Sequence, residues 1–178
     1  MRIESGEKKG HILKSPKGIR PTTSFLKKSI FDMLGNYILD KEILELFAGS
    51  GALGLEALSR GAKSCTFVDI SRSSQKAILD NIKNLGYINR TKFVKSEALK
   101  FLRNCNDKFD IIIADPPYNY KDYEKLLNLA HSKLKEGGIL ILQLSSKVSL
   151  EIENYKIIKD YKKGETRIIV LSVNHEEK

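Results

Sequence analysis

Between residues 43 and 144, short apolar runs alternate with stretches of helical spacing, and this alternation constrains the fold more than any other feature. Five runs read as buried strands, at 43–47, 64–69, 91–95, 109–115 and 139–144. Helical patterns separate them. One covers 52–59 and closes at Gly61, and one covers 73–85 with Ala77, Ile78, Ile82 and Leu85 on a single face. Another runs through Phe101 and Leu102, and a fourth covers 123–134 and ends at Gly137-Gly138. Upstream, Thr22 or Thr23 caps a helix over 24–34 that Gly35 stops; downstream, 155–161 and 167–173 read as a closing hairpin. The pattern predicts an α/β fold: a doubly wound, mostly parallel sheet of seven strands with a C-terminal antiparallel hairpin. Right-handed crossovers leave few other topologies. Ligands of such sheets sit beyond the carboxyl ends of the strands, so residues just after each strand are the ones to inspect for chemistry.

Composition narrows the class. A chain of 178 residues that is 41% hydrophobic can stabilise one core without staples. No apolar run approaches the ~18 residues of a membrane span. The opening Met1-Arg2-Ile3-Glu4 is too charged for a secretory signal, so a soluble cytoplasmic protein is expected. Cys65 and Cys105 are the two cysteines and lie outside any CxxC, and His11, His131 and His175 are scattered, so no metal site is expected. The net charge of +9 is uneven: residues 1–30 hold eight Lys or Arg against Glu4 and Glu7. Within that stretch, Arg2-Ile3-Glu4 and His11-Ile12-Leu13 can pair as a hairpin around Glu7-Lys8-Lys9-Gly10. Residues 1–22 are read as a basic hairpin or arm that contacts a polyanion through Arg2, Lys8, Lys9 and Arg20.

Gly49, Gly51 and Gly54 form G-x-G-x-x-G between the first strand and its helix, and Asp69 ends the second strand 20 residues after Gly49. Missing side chains let a ligand touch the backbone, and an acid at that distance accepts hydrogen bonds from ribose hydroxyls. An NAD site and an S-adenosylmethionine site both fit. Glu45 inside the strand end, suited to an ammonium group, and the longer Phe47-Ala48 turn favour the second. Glu97, after the third strand, can accept from an adenine amine or simply cap the following helix. The strongest signal is Asp115-Pro116-Pro117-Tyr118 after the fourth strand. Two prolines remove two N–H donors and hold the preceding residues extended. The loop presents a carboxylate, a free carbonyl and an aromatic face, which suits a planar base carrying an exocyclic amine.

Asp-Pro-Pro-Tyr together with Phe-Ala-Gly-Ser-Gly resembles the amino-group methyltransferases of nucleic acids. Three further stretches narrow the likeness: Arg20-Pro21-Thr22, the run from Leu46 to Ala62 with its Ala57-Leu58-Ser59-Arg60-Gly61-Ala62 end, and Arg2-Ile3 with Gly6 and Lys9-Gly10. Along nearly its whole length the chain resembles the bacterial 16S ribosomal RNA guanine-N2 methyltransferases of the RsmD family. The resemblance implies a Rossmann-like class I methyltransferase domain over 23–178, S-adenosylmethionine as cofactor, and ribosomal RNA or the assembling small subunit as partner of a monomeric enzyme. It also implies that Glu45, Phe47, Gly49 and Gly51 line the methionine part of the cofactor, and that Asp69 holds the ribose. Ile70 packs on the adenine, Glu97 and Ala98 meet its edge, and Asp115, Pro116, Pro117 and Tyr118 hold the target base. Glu45 stands where Asp is usual, Asp69 where Glu is common, Glu97 where Asp is common, and Gln143 where Glu is frequent.

The expected chemistry is one in-line displacement. Asp115 and the Pro116 carbonyl hold the amine hydrogens, and orientation and electrostatics supply the rate. A DNA adenine-N6 methyltransferase shares this chemistry, but 178 residues leave little room for a sequence-reading domain. A non-catalytic RNA-binding protein does not account for the intact glycines and acids. An NAD-dependent oxidoreductase does not account for Asp115-Pro116-Pro117-Tyr118.

Overall fold

The computed structural model describes residues 1–19 and 23–173. Helix α1 (Ser24–Leu34) starts where the Thr23 hydroxyl accepts the Leu26 N–H at 3.3 Å. Gly35 ends the α-helix at φ 50°, yet the coil continues as a 3-10 turn through Ile38. Strand β1 (Glu42–Leu46), α2 (Ala52–Ser59), β2 (Ser64–Asp69), α3 (Arg72–Leu85), β3 (Thr91–Lys95), α4 (Ala98–Asn104), β4 (Phe109–Ala114) and α5 (Tyr123–Ser132) follow. The chain closes with β5 (Leu134–Ser145), β6 (Tyr155–Lys163) and β7 (Thr166–Val173). The sheet order is β3-β2-β1-β4-β5-β7-β6; β1 to β5 run parallel and β7 runs antiparallel to both its neighbours.

Two apolar layers hold the sheet. Ile43, Phe67, Ile111, Ile141 and Ile168 face α1, α2 and α3, while Leu44, Val68, Ile112, Leu140 and Ile169 face α4 and α5. The order reverses between β1 and β4, and the mouth beyond their carboxyl ends is the switch point for a ligand. No helix among the described residues is long and apolar enough to cross a membrane.

Two expectations are corrected. The helix predicted over 123–134 stops at Ser132, and Leu134 already pairs with Phe109 in the sheet. Gly137 and Gly138 therefore do not cap a helix but lie within β5, near the register shift between Phe109 and Ile111. A Cβ on Gly138 would lie 2.8 Å from the Lys135 carbonyl oxygen, so only glycine fits there. Helix ends and strand irregularities use the same residue, and burial of Leu134 decides between them.

Residues 1–14 are also more than a basic arm. The hairpin forms one antiparallel bridge between Arg2 and Ile12, and Ile3 and Leu13 are buried in the α1–α3 layer. The fully buried Glu56 carboxylate accepts the Glu4 N–H at 3.0 Å and pairs with Arg60 at 2.9 Å. Ser59 accepts the Lys8 N–H through its hydroxyl at 2.9 Å, and Asn81 clasps the Lys14 backbone from both sides. Lys27, counted above within the basic stretch, is buried and donates to the Arg2 carbonyl at 2.6 Å; burial lowers its pKa. Lys14 and Lys28 are paired with Asp80 and Asp32, so the hairpin's free charge centres on Arg2, Lys8 and Lys9.

Candidate active site

The glycine turn is built from three different requirements. Phe47, expected as the last strand residue, instead turns the chain at φ 52°, and Gly49 and Gly51 continue the left-handed path at 60° and 76°. Glycine takes such angles without strain. Gly54 has an ordinary backbone but no room: an added Cβ would lie 2.5 Å from Phe67 and 2.6 Å from Cys65. That close approach lets the Gly54 N–H reach Glu45 Oε1 at 2.9 Å.

Glu45 is buried, and desolvation pushes its carboxyl up to about 8 against the pull of the Gly54 N–H. Charges on Asp115 and Asp69 push in the same direction as burial, which brings the three acids of β1, β2 and β4 into one electrostatic neighbourhood. Asp69 is half-buried and tied to the loop: Oδ2 accepts the Gly49 N–H at 2.9 Å and Oδ1 the Ser71 N–H at 2.8 Å. Each oxygen keeps a lone pair for a hydroxyl donor. Ile70, next in the chain, is 65% exposed and offers a free apolar face.

Glu97 caps α4, accepting from the Leu99 N–H at 3.1 Å and the Lys100 N–H at 3.0 Å. Its two oxygens serve the helix first, and Ala98 beside it is buried. At the end of β4, burial pushes Asp115 up to about 6. Pro116 is buried, Pro117 is exposed, and the Tyr118 ring is 75% exposed.

One neighbour of this loop, Tyr120, lay outside the sequence reading, and a second, Gln143, entered it only as a departure from the family pattern. The Pro117 carbonyl accepts the Tyr120 N–H at 2.9 Å, a turn that returns Tyr120 to the mouth. Its ring meets Phe47 edge-on at 5.3 Å and Tyr123 at 5.1 Å, joining the glycine turn to the Asp115 loop. Gln143 lies near the carboxyl end of β5: Ala114 pairs with Leu142, so Asp115 and Gln143 follow side by side. The Tyr120 hydroxyl and the Gln143 Oε1 are buried without a hydrogen-bond partner among the described residues. Position after a strand was the available signal for Gln143; nothing local distinguishes Tyr120 from a surface tyrosine.

Arg2 and Lys9 are exposed, and Lys8 is half-buried on the hairpin against α2. Arg20 lies outside the described residues. The hairpin nevertheless reaches the glycine turn. The Met1 sulfur is 3.8 Å from the Ser50 hydroxyl, a Cβ on Gly49 would lie 3.6 Å from Ile19, and Asn81 joins the Ser50 and Lys14 carbonyls.

The set suits S-adenosylmethionine: a buried acid for an ammonium group, backbone exposed at glycines, a carboxylate at the next strand end and an apolar platform at Ile70. Among the described residues no His, Cys, Asp and Glu cluster could hold a metal ion.

The family described as conserved hypothetical protein 95 matches residues 1–172. Ribosomal RNA small subunit methyltransferase D of Escherichia coli K12 is 35% identical over 156 residues, covering 86% of this chain and 76% of its own. The protein of the same name from Buchnera aphidicola of Acyrthosiphon pisum is 32% identical over 163 residues, covering 88% and 85%. The solved yhhF protein of Escherichia coli superposes with a TM-score of 0.88 at 28% identity, covering 97% of both chains.

Proposed function

Because this chain belongs to the family of ribosomal RNA small subunit methyltransferases D, we propose that it methylates the exocyclic N2 amine of a guanine in small-subunit ribosomal RNA, using S-adenosylmethionine. The observation that carries the reading is Asp115: a carboxylate followed by two prolines at the end of β4, beside β1 at the switch point, partly buried and close enough to Glu45 to push its carboxyl up.

S-adenosylmethionine supplies an electrophilic methyl group on a sulfonium. Glu45 and the backbone of Phe47, Gly49 and Gly51 receive its methionine end, and Asp69 receives the ribose hydroxyls. Ile70 and Ala98 flank the adenine, with Glu97 at its edge. Glu45 starts protonated near neutral pH, since burial raises it to about 8. An ammonium neighbour favours its carboxylate form. Asp115 is ionised above about 6 and, with the Pro116 carbonyl, accepts both hydrogens of the amine. This aims the nitrogen lone pair, and the carboxylate stabilises the positive charge that develops there. Tyr118, exposed at the rim, stacks on the base.

Gln143 supports guanine over adenine. The residue follows in register beside Asp115, and its Oε1, without a partner among the described residues, can accept the N1–H that guanine has and adenine lacks. The reading carries with it a cytoplasmic monomer acting on ribosomal RNA or the assembling small subunit. Arg2, Lys8, Lys9 and Arg20 hold phosphates. Inosine lacks the N2 amine, so a small-subunit RNA transcript made with inosine in place of guanosine should accept no methyl group. Undiminished transfer to it would refute the assignment.

A further inference from the structure

The edge of the sheet presents α1 with side chains the proposed reaction does not use. Across β6 and β7, Lys156 pairs with Ser172, Lys159 with Val170, Tyr161 with Ile168 and Lys163 with Thr166. Ile168 and Val170 point into the α1-side layer, so all four β6 residues share that face. The register shift between Ile157 and Lys159 makes this possible. A one-residue bulge changes which side chains share a face; without it, Lys156 would lie opposite in phase to the other three.

Between this row and α1 lies a cleft of about 350 Å³, lined by Ser29, Met33, Lys159, Tyr161 and Ile168 among others. At its rim the Phe25 ring, 40% exposed, lies 6.3 Å from the Tyr161 ring. The Lys163 ammonium sits 3.4 Å from the Phe25 ring centre and that of Lys159 5.9 Å from the Tyr161 ring centre. The nearby acids are committed: Asp32 pairs with Lys28 at 2.7 Å, and Asp160, on the opposite face, pairs with Arg167 at 2.7 Å. The cleft is thus aromatic inside and cationic along its β6 edge, with the Lys28-paired Asp32 carboxylate on its α1 wall.

It also lies in line with the reaction mouth. Gln143 pairs with Ile168, Ile168 pairs with Tyr161, and Asp115 stands beside Gln143. Three strand spacings separate β4 from β6, about 14 Å in all.

We propose that this cleft holds a nucleotide flanking the target on the same RNA strand. Its base lies on Tyr161, with the Phe25 ring at its edge, and its phosphates meet Lys159, Lys156 and Lys163, the last already held over Phe25. The inference rests on the ribosomal RNA reading above. An aromatic wall at Tyr161 edged by Phe25 suits a planar base and lysines spaced along a strand suit phosphates, a combination an acidic polypeptide does not require.

The chain has no tryptophan, so Tyr161→Trp creates a single indole. A short single-stranded oligoadenylate should quench it on binding, and polyglutamate of matched charge should not. Lys159→Ala with Lys163→Ala should weaken small-subunit RNA binding about ten-fold and lower the log–log salt slope by about 1.4, at about 0.7 per phosphate. Tyr161→Ala should weaken binding about five-fold or more, and Tyr161→Phe should restore it. An indole unquenched by bound oligoadenylate, equal quenching by polyglutamate, or unchanged affinity and slope in the double variant would overturn the proposal. Binding, not transfer, is the readout. Wild-type methylation with an unquenched cleft removes this inference alone, whereas a quenched cleft in a protein that methylates no RNA removes the activity alone.

Discussion

Replacing Glu45 with Gln separates the folding role of this acid from its ligand role. The carboxyl is buried under the glycine turn and accepts the Gly54 N–H at 2.9 Å. Burial raises it from its ordinary 4.5 to about 8. The folded state therefore holds this proton more tightly than the unfolded chain. Stability is complete below about 4.5 and declines as pH rises towards 8. A rise of about 3.5 units corresponds to about 5 kcal/mol, of which about 4 kcal/mol falls between pH 5 and pH 9. Glu45→Gln keeps a carbonyl oxygen for Gly54 and cannot ionise. Any cost of its new amide hydrogens does not vary over this range. Urea unfolding followed by far-ultraviolet dichroism at both pH values should show the wild type losing about 4 kcal/mol relative to the variant. Parallel pH profiles would mean that Glu45 is solvated or already ionised in the folded protein, and would refute the claim that burial keeps it protonated near neutral pH.

Asp115→Ala should abolish methyl transfer with cofactor affinity unchanged by calorimetry, while Asp115→Asn retains some activity. In the wild type the transfer rate should rise with pH through about 6 as the Asp115 carboxylate forms, and a rate flat from pH 5 to pH 8 would contradict its role as acceptor. Asp69→Ala should weaken S-adenosylmethionine binding about ten-fold or more, because it removes the ribose acceptor and frees the Gly49 N–H it holds at 2.9 Å. Gly54→Ala should destabilise the fold by about 1–3 kcal/mol in chemical denaturation, since its Cβ would enter the space of Phe67 and Cys65. Lys8→Glu with Lys9→Glu should weaken RNA binding and flatten its salt dependence, leaving cofactor affinity at the wild-type value.

The parallel body was readable because each buried strand is a short apolar run with a turn signal at its end. Periodicity located β1 to β4 to within a residue, and the antiparallel hairpin followed from Lys162-Lys163-Gly164-Glu165. The boundary between α5 and β5 was not readable. Gly137-Gly138 marks either a helix stop or a strand irregularity, and only the pairing of Leu134 with Phe109 separates the two. Charge counting misjudged the N-terminal segment for a similar reason. A buried lysine such as Lys27 looks like a surface one until its carbonyl partner is known, and Glu56 carries no mark of the hairpin it anchors 52 residues away. At the mouth, the positions of Glu45, Asp69 and Asp115 were legible because each stands inside or at the end of a buried strand, although Glu45 and Asp69 also tie down backbone N–H groups of the loops there. Glu97 was ambiguous for the opposite reason: an acid ahead of a helix is already useful as a cap, and that is how its oxygens are spent. Tyr120 needed tertiary structure; Gln143 was legible at its strand end, but only packing reveals that its Oε1 has no partner among the described residues.

The most direct test is to incubate the protein with S-adenosylmethionine and small-subunit ribosomal RNA, free and in assembling subunits, digest the RNA to nucleosides and identify the methylated species by mass spectrometry. The protein should yield N2-methylguanosine and Asp115→Ala none. N6-methyladenosine, methylation of DNA in preference to ribosomal RNA, or equal N2-methylguanosine from Asp115→Ala would contradict the assignment.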